Sequence, residues 1–523
     1  MTTTLFDKLW QEHEVKTLSE RQSLLYVDRI FLHERTGSAA LNGLLEHDRV
    51  VRRREHAFCT MDHIVDTLPG RGDNTLMPSG RDFIIATRGA AQETGIQLFD
   101  IPDPDQGSVH VISPERGSAL PGLSLICPDS HTCTLGGLGA LAWGVGSTEA
   151  EHALATSTLR VTRPKTMRVT FEGALPDSAT AKDLILFTIR ELSGAGGAGY
   201  AIEFAGPAIQ ALAVEARLTL CNMATELSAF TGLIAPDQKV FEYCNGRPYA
   251  PRGVAWDQAS AHWHGLQSDE GARFDREHVV DIRALKPQLS WGTSPQHAID
   301  WDGVVPHVID APDDAPEVAW QRAQDYMGVS GGSHLSDYSV DAAFIGSCTN
   351  SRLSDLRLAA EYLSRTGHRV ANSVKALCVP GSGQVKRAAE AEGLDEIFRS
   401  AGFEWREPGS SMCFFAGGES FGEGVRVAST TNRNFEGRQG LGVRTHIASP
   451  LTVVASACAG HLVADTTACR LLSSTPASPH RWCAIILIPI RLFLLAKCAA
   501  WPGRGFRKGW LRPGETTIPT RAP

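Results

Sequence analysis

Two cysteines stand where a thiolate could do chemistry. Cys348 follows a short apolar run through Phe344 and Ile345 and opens the stretch Cys348-Thr349-Asn350-Ser351. A helix-like pattern then runs from Asp355 to Leu363. This reads as a strand, a tight turn and a helix start, and predicts a thiolate stabilised by backbone N–H groups and the positive end of the helix. About 60 residues later, Ser410-Ser411-Met412-Cys413 has the form of a Cys-x-x-Cys pair whose first member is serine. Thiolates close in sequence, joined by others from elsewhere in a fold, are soft ligands suited to iron. Taken alone, two cysteines in a chain of twelve read more simply as buried free thiols. Cys127 in Leu125-Ile126-Cys127 and Cys378 in Leu377-Cys378-Val379 have that plain apolar setting.

The elements that must position these residues alternate helix and strand. Residues 180–192 predict a helix: Thr180 can cap it, Asp183 holds the capping-box position, and Ile185, Ile189 and Leu192 share a face. Gly194-Ala195-Gly196-Gly197-Ala198-Gly199 follows and formally matches G-x-G-x-x-G. A dinucleotide site needs that loop between a strand and a helix start, and here a helix precedes it and the strand-like Ala201-Ile202-Glu203-Phe204 follows. Residues 301–339 are rich in Asp, Pro, Gly and Ser and read as a connecting segment between 1–300 and 340–465. No internal repeat is apparent.

With 523 residues, 42% apolar and 21% charged, the chain suits several soluble α/β units. Its net charge is −8, and residues 467–523 alone carry +8, leaving −16 for the rest. An acidic body offers no electrostatic footprint for nucleic acid. Residues 1–14 show no secretory signal, so a cytoplasmic location is expected. Residues 466–523 form an atypical basic, proline-rich tail. Its apolar run from Cys483 to Ala496 is broken by Pro489 and Arg491 and is shorter than the about 20 residues a membrane span needs. The tail reads as unrelated to the fold, and no membrane partner is expected.

Several segments in one order carry a resemblance. Upstream are Thr60-Met61-Asp62-His63, Val109-His110, Pro128-Asp129-Ser130-His131-Thr132, Ile202-Glu203-Phe204 and Cys221-Asn222-Met223. Downstream are Gly346-Ser347-Cys348-Thr349-Asn350-Ser351-Arg352, Pro408-Gly409-Ser410-Ser411-Met412-Cys413 and the arginine-bearing run from Ser429 to Gly440. Arg444-Thr445-His446 and Ala448-Ser449-Pro450 follow. Over about residues 4–465 the chain resembles the aconitase and isopropylmalate isomerase family. The resemblance implies an α/β fold of three subdomains around an iron–sulfur site, without the family's swivel domain. It implies a hydro-lyase that moves a hydroxyl between adjacent carbons of a hydroxy-dicarboxylate. Isopropylmalate, homoaconitate and methylmalate-type enzymes share the residues involved.

Carried over by the resemblance, His63, oriented by Asp62, is the acid that protonates the departing hydroxyl. Asp129 with His110, and Glu203 with His131, are the other acid–histidine pairs. Ser130, Arg433 and Arg438 bind substrate, the guanidinium forks gripping carboxylates. The cofactor implied is a 4Fe–4S cluster with three protein ligands, at Cys348, Ser410 and Cys413. The partner implied is a small subunit that carries the swivel domain and the general base. Three residues depart from the family pattern. Ser410 replaces a ligand cysteine, and a neutral hydroxyl is a poor iron ligand. Pro128 precedes Asp129, where its fixed φ and missing N–H could shift the loop. Ala39 stands near a position where relatives carry a glutamine. Two further readings compete: a non-catalytic relative that keeps the fold without a working cluster, and a cluster-free RNA binder, which the acidic body disfavours.

Overall fold

The computed structural model describes residues 2–312 and 317–464. The basic tail of residues 466–523 lies outside the described residues. Three parallel sheets organise the rest. The first has the order Gln97–Phe99, Ala57–Thr60, Arg29–His33, Ser124–Cys127, Leu141–Gly144. The second has the order Thr231–Leu233, Tyr200–Ala205, Lys165–Glu172, Arg276–Asp281. The third has the order Phe403–Trp405, Lys375–Cys378, Ala342–Ile345, Arg426–Ser429, Arg444–Ile447. Numbered by chain order within each sheet, the first and third are both 3-2-1-4-5 and the second is 3-2-1-4. The architecture therefore repeats where the sequence shows no repeat, because topology depends on apolar patterning and connection length rather than on residue identity.

The inner strands of the first and third sheets read as short apolar runs, as parallel strands covered on both faces do, whereas the edge strand Arg276–Asp281 of the second is polar and largely exposed. Leu125, Ile126 and Cys127 are fully buried in the first sheet, as are Ala343, Phe344 and Ile345 in the third. An antiparallel ribbon of Glu14–Ser19, Gln22–Tyr26 and Thr158–Thr162 stands apart from the parallel sheets. Among the described residues, no helix is long and apolar enough to cross a membrane.

The predicted helix spans Ala181–Leu192, with Thr180 as N-cap. Thr180 Oγ1 accepts from the Lys182 and Asp183 N–H groups, and Asp183 Oδ2 accepts in return from the Thr180 N–H at 2.8 Å. The glycine run that follows leads into Tyr200–Ala205, in the helix–loop–strand order. A Cβ on Gly196 would lie 2.1 Å from the Leu192 carbonyl oxygen, so the loop needs its glycine for close backbone approach rather than for a phosphate. The 301–339 stretch carries the helix Glu317–Met327. That helix braces the arginine-bearing loop: Tyr326 Oη donates to the Val443 carbonyl and accepts from the Gly437 N–H, both at 2.9 Å.

Candidate functional site

In parallel α/β sheets, ligands gather beyond the carboxyl ends of the strands, where strand order reverses. Candidate residues collect at such ends in the first and third sheets. Arg29–His33 leads to Glu34 and Arg35, Ala57–Thr60 to Asp62 and His63, and Ser124–Cys127 to Asp129, Ser130 and His131. Ala342–Ile345 leads to Cys348, Phe403–Trp405 to Ser410 and Cys413, and Arg426–Ser429 to Asn432 and Arg433.

His63 is the centre of the acid–base group. Its Nδ1 lies 3.4 Å from Asp62 Oδ2 and its Nε2 3.5 Å from Asp129 Oδ2. Burial alone would lower its proton affinity, but the two carboxylates outweigh burial and raise its pKa to about 9. Asp129 is ringed by imidazoles: besides His63, His110 Nδ1 stands at 3.8 Å and His131 Nδ1 at 3.9 Å from Oδ1. Burial would raise the Asp129 pKa, yet these neighbours hold it well below the usual carboxylate range. His110 is pushed down to about 4 by burial, only partly opposed by Asp129. The geometry thus separates a protonated His63 from a neutral His110. With Pro128 ahead of it, Asp129 still reaches all three histidines.

One expected pair is corrected. His131 Nε2 meets Glu226 Oε1 at 2.9 Å, not Glu203. Glu203 lies directly across the second sheet from Arg168, which bonds its Oε1 at 3.0 Å, while Ser268 Oγ donates to its Oε2 at 2.5 Å. The cross-strand cation captures Glu203 and leaves Glu226, in the turn Met223–Leu227, to serve the histidine. Glu226 also takes Arg433 Nε at 2.7 Å, and Arg433 reaches Ser130 Oγ at 2.9 Å. Burial would raise the Glu226 pKa, but His131 and Arg433 lower it.

The thiols face amides rather than a helix end. The helix after Cys348 begins only at Leu353, with Arg352 as N-cap and Asp355 completing the capping box. Cys348 Sγ accepts instead from Asn222 Nδ2 at 3.3 Å and Asn432 Nδ2 at 3.5 Å. Cys413 Sγ lies 3.8 Å from Asn432 Oδ1 and 3.4 Å from an Arg438 guanidinium nitrogen. Asn432 therefore touches both thiols. Burial and the neighbouring Cys413 push the Cys348 thiol pKa up. The buried Lys182 ammonium ties down the approach to Asn432, donating to the Thr430 and Thr431 carbonyls at 2.9 Å each. Both turns hold a serine in the left-handed region, Ser347 at φ 74° and Ser411 at φ 48°. Such backbone costs about 1–3 kcal/mol and persists where function or packing requires it.

Ser410 joins the thiols to the acid. Its N–H donates to Asp62 Oδ1 at 2.9 Å, and its hydroxyl stands 3.5 Å from Ser108 Oγ. The three positions that the resemblance offers as cluster ligands thus carry two sulfurs and one hydroxyl oxygen. This set does not match a cluster held by three protein thiolates, because an alkoxide forms only against a much higher pKa than a thiolate.

Sequence reasoning assigned no role to Asn222, Glu226 or Asn432. Asn222 and Asn432 lie inside the segments that carry the resemblance, which was the available signal. Glu34 was also missed. His33, Glu34 and His63 bring possible ligand atoms within 4.8 Å of one another. Glu34 is occupied otherwise: its carboxylate accepts the N–H groups of Asp62, Ile64 and Val65 and clamps the His63 loop. Ala39 lies exposed on the helix Glu34–Glu46.

The aconitase family (aconitate hydratase) model matches residues 7–460. A curated relative, the 3-isopropylmalate dehydratase large subunit 1 of Bradyrhizobium diazoefficiens, is 51% identical over 457 residues, covering 87% of this chain and 95% of that protein. Among solved structures, the holo form of Thermococcus kodakaraensis aconitase X aligns over 81% of this chain and 88% of its own at 13% identity and a TM-score of 0.44. On the family match and the curated relative, the chain belongs to the aconitase family.

Proposed function

We infer that this chain is the large subunit of a 3-isopropylmalate dehydratase, a hydro-lyase interconverting 2- and 3-isopropylmalate in leucine biosynthesis. The observation that carries this is the 51% identity to a large subunit of that name across 87% of this chain and 95% of that one. The designation as a large subunit supports a small-subunit partner, which supplies the swivel domain and the general base. A biosynthetic role on a small hydroxy diacid fits the cytoplasm.

The residues divide the proton and anion work. Losing water from a malate requires the departing hydroxyl to be protonated. His63 is the acid, since a group with a pKa of about 9 carries its proton at neutral pH. Asp62 and Asp129 hold the imidazolium from either side. Arg433, fixed by Glu226 and Ser130, presents its remaining guanidinium edge to a carboxylate, and Arg438 presents another beside Cys413. A 4Fe–4S cluster is the family's Lewis acid. With Ser410 as third donor, the present residues do not supply the ligands for one, and no step is assigned to it.

Ser410 also favours a second reading, a subunit that keeps fold and partner while working without a full cluster. Anaerobic purification with the small subunit separates the two. The expected result is little iron and little turnover as written, with Ser410→Cys restoring iron, sulfide and dehydratase activity together. Turnover by the isolated chain would overturn the split-site reading. A Ser410→Cys complex with full iron and no dehydratase activity would overturn the assigned reaction.

A further inference from the structure

Just after Cys413, two cations stand over the Phe414 ring. The Arg35 guanidinium carbon is 4.4 Å from its centroid, and that of Arg438 is 4.8 Å from the same centroid. Arg35 is exposed, near the start of the helix Glu34–Glu46, one residue beyond the Glu34 that clamps the His63 loop. Arg438 is 9% exposed, and its buried Nε has no hydrogen-bond partner. Among the described residues, no carboxylate lies within ion-pair distance of either guanidinium. Arg438 gives one Nη to Cys413 Sγ and Asn432 Oδ1, both at 3.4 Å, whereas Arg433 already pairs with a carboxylate, that of Glu226. The electrostatic neighbours of Arg35 are Arg438, Asp129 and Glu34, which places its charge at the acid–base centre.

Two like charges gathered on one ring repel unless an anion joins them. The ring favours a cation over its face and orders both side chains in advance, so less entropy is lost when an anion arrives. The site's substrate class supplies that anion. We propose that Arg35 is a specificity-determining residue that, with Arg438, holds one substrate carboxylate beside Phe414 and selects hydroxy diacids over singly charged analogues. The proposal rests on the reading of this site as one for 3-isopropylmalate. Arg35 lies outside every segment that carried the resemblance, so sequence alone gave no reason to choose it.

The test is equilibrium binding by calorimetry, with the chain complexed to its small subunit. The probes are 3-isopropylmalate and its two half methyl esters, each lacking a different charge. Arg35→Gln is expected to weaken binding of the diacid by about tenfold to a hundredfold, the range for losing a hydrogen bond to a charged group. One half-ester, lacking the recognised carboxylate, is expected to bind variant and unaltered protein alike. Arg35→Lys is expected to fall between, because an ammonium keeps the charge and loses the planar fork. Unchanged diacid affinity in Arg35→Gln would overturn the assignment alone. Equal weakening of the diacid and both half-esters would also overturn it, since that marks a structural effect. If 3-isopropylmalate fails to bind the unaltered complex, the functional reading and the Arg35 assignment fall together.

Discussion

Replacing Asp129 by Asn tests the electrostatic account of the acid most directly. The substitution keeps the shape of the side chain and removes one of the two charges that hold the His63 proton. At 3.5 Å, a unit pair in an effective dielectric of 20 interacts by about 5 kcal/mol, or about 3.5 pKa units. That is a ceiling, since neighbouring charges shift buried groups by about 1–3 units in practice. Asp62 remains 3.4 Å away on the other ring nitrogen. The His63 pKa is therefore expected to fall from about 9 to about 6–8. The assay is the pH titration of the His63 Cε1–H resonance in histidine-labelled protein, which requires neither cluster nor turnover.

Stability follows with a definite sign. A His63 pKa raised from 6.5 to about 9 contributes about 3 kcal/mol, fully present below pH 6.5 and lost as pH rises through about 9. Asp129 is depressed by the same contacts, so its contribution is present above its unfolded pKa of about 4 and lost as pH falls below its folded value. The two are one interaction viewed from either partner and do not add. A stability plateau between about pH 4 and 6.5 is expected, and Asp129→Asn should flatten the decline on its alkaline side. A His63 resonance titrating near 6.5 in the unaltered protein, or one unmoved by Asp129→Asn, would refute the reasoning.

In a Ser410→Cys background, His63→Ala should lower turnover by about 10²–10⁴-fold with iron content unchanged, and near-normal turnover would remove His63 as the acid. Glu226→Gln should release Arg433 and His131 together, weakening diacid binding by about tenfold while His63 still titrates near 9, and unaltered affinity would show that Arg433 is held by other means. Ending the chain after residue 465 should leave small-subunit association intact, and loss of association in a pull-down would show that the tail contributes to it.

Much of the site was legible because its residues sit in short contiguous segments. Asp62-His63 and Asp129-Ser130-His131 each fall at the end of an apolar strand, where sequence patterning predicts a loop and the fold places a site. The Glu203 pairing misled because a residue inside a strand has its neighbours chosen by register, and register is not local: Arg168 lies 35 residues away in sequence yet directly opposite. Glu226 was invisible for the complementary reason, since a 3-10 turn carries no periodicity that aims its carboxylate. The helix over 180–192 was readable from its capping box. The thiol environment was not, because the amides that replace a helix end come from Asn222 and Asn432, 210 residues apart. The threefold recurrence of strand order escaped sequence reading altogether.

Asp62 works in two directions at once. One oxygen accepts the N–H of Ser410, and the other faces His63 and accepts the Val109 N–H at 3.3 Å. The turn that carries Ser410 and Cys413 and the imidazole proposed as the acid are thereby braced on a single carboxylate. Such bracing acts as an interlock. If the Ser410 turn swings away, Asp62 loses an anchor, and the imidazole loses part of what keeps it charged. A residue exchanged in the ligand turn would be felt first as a change in proton affinity across the cleft.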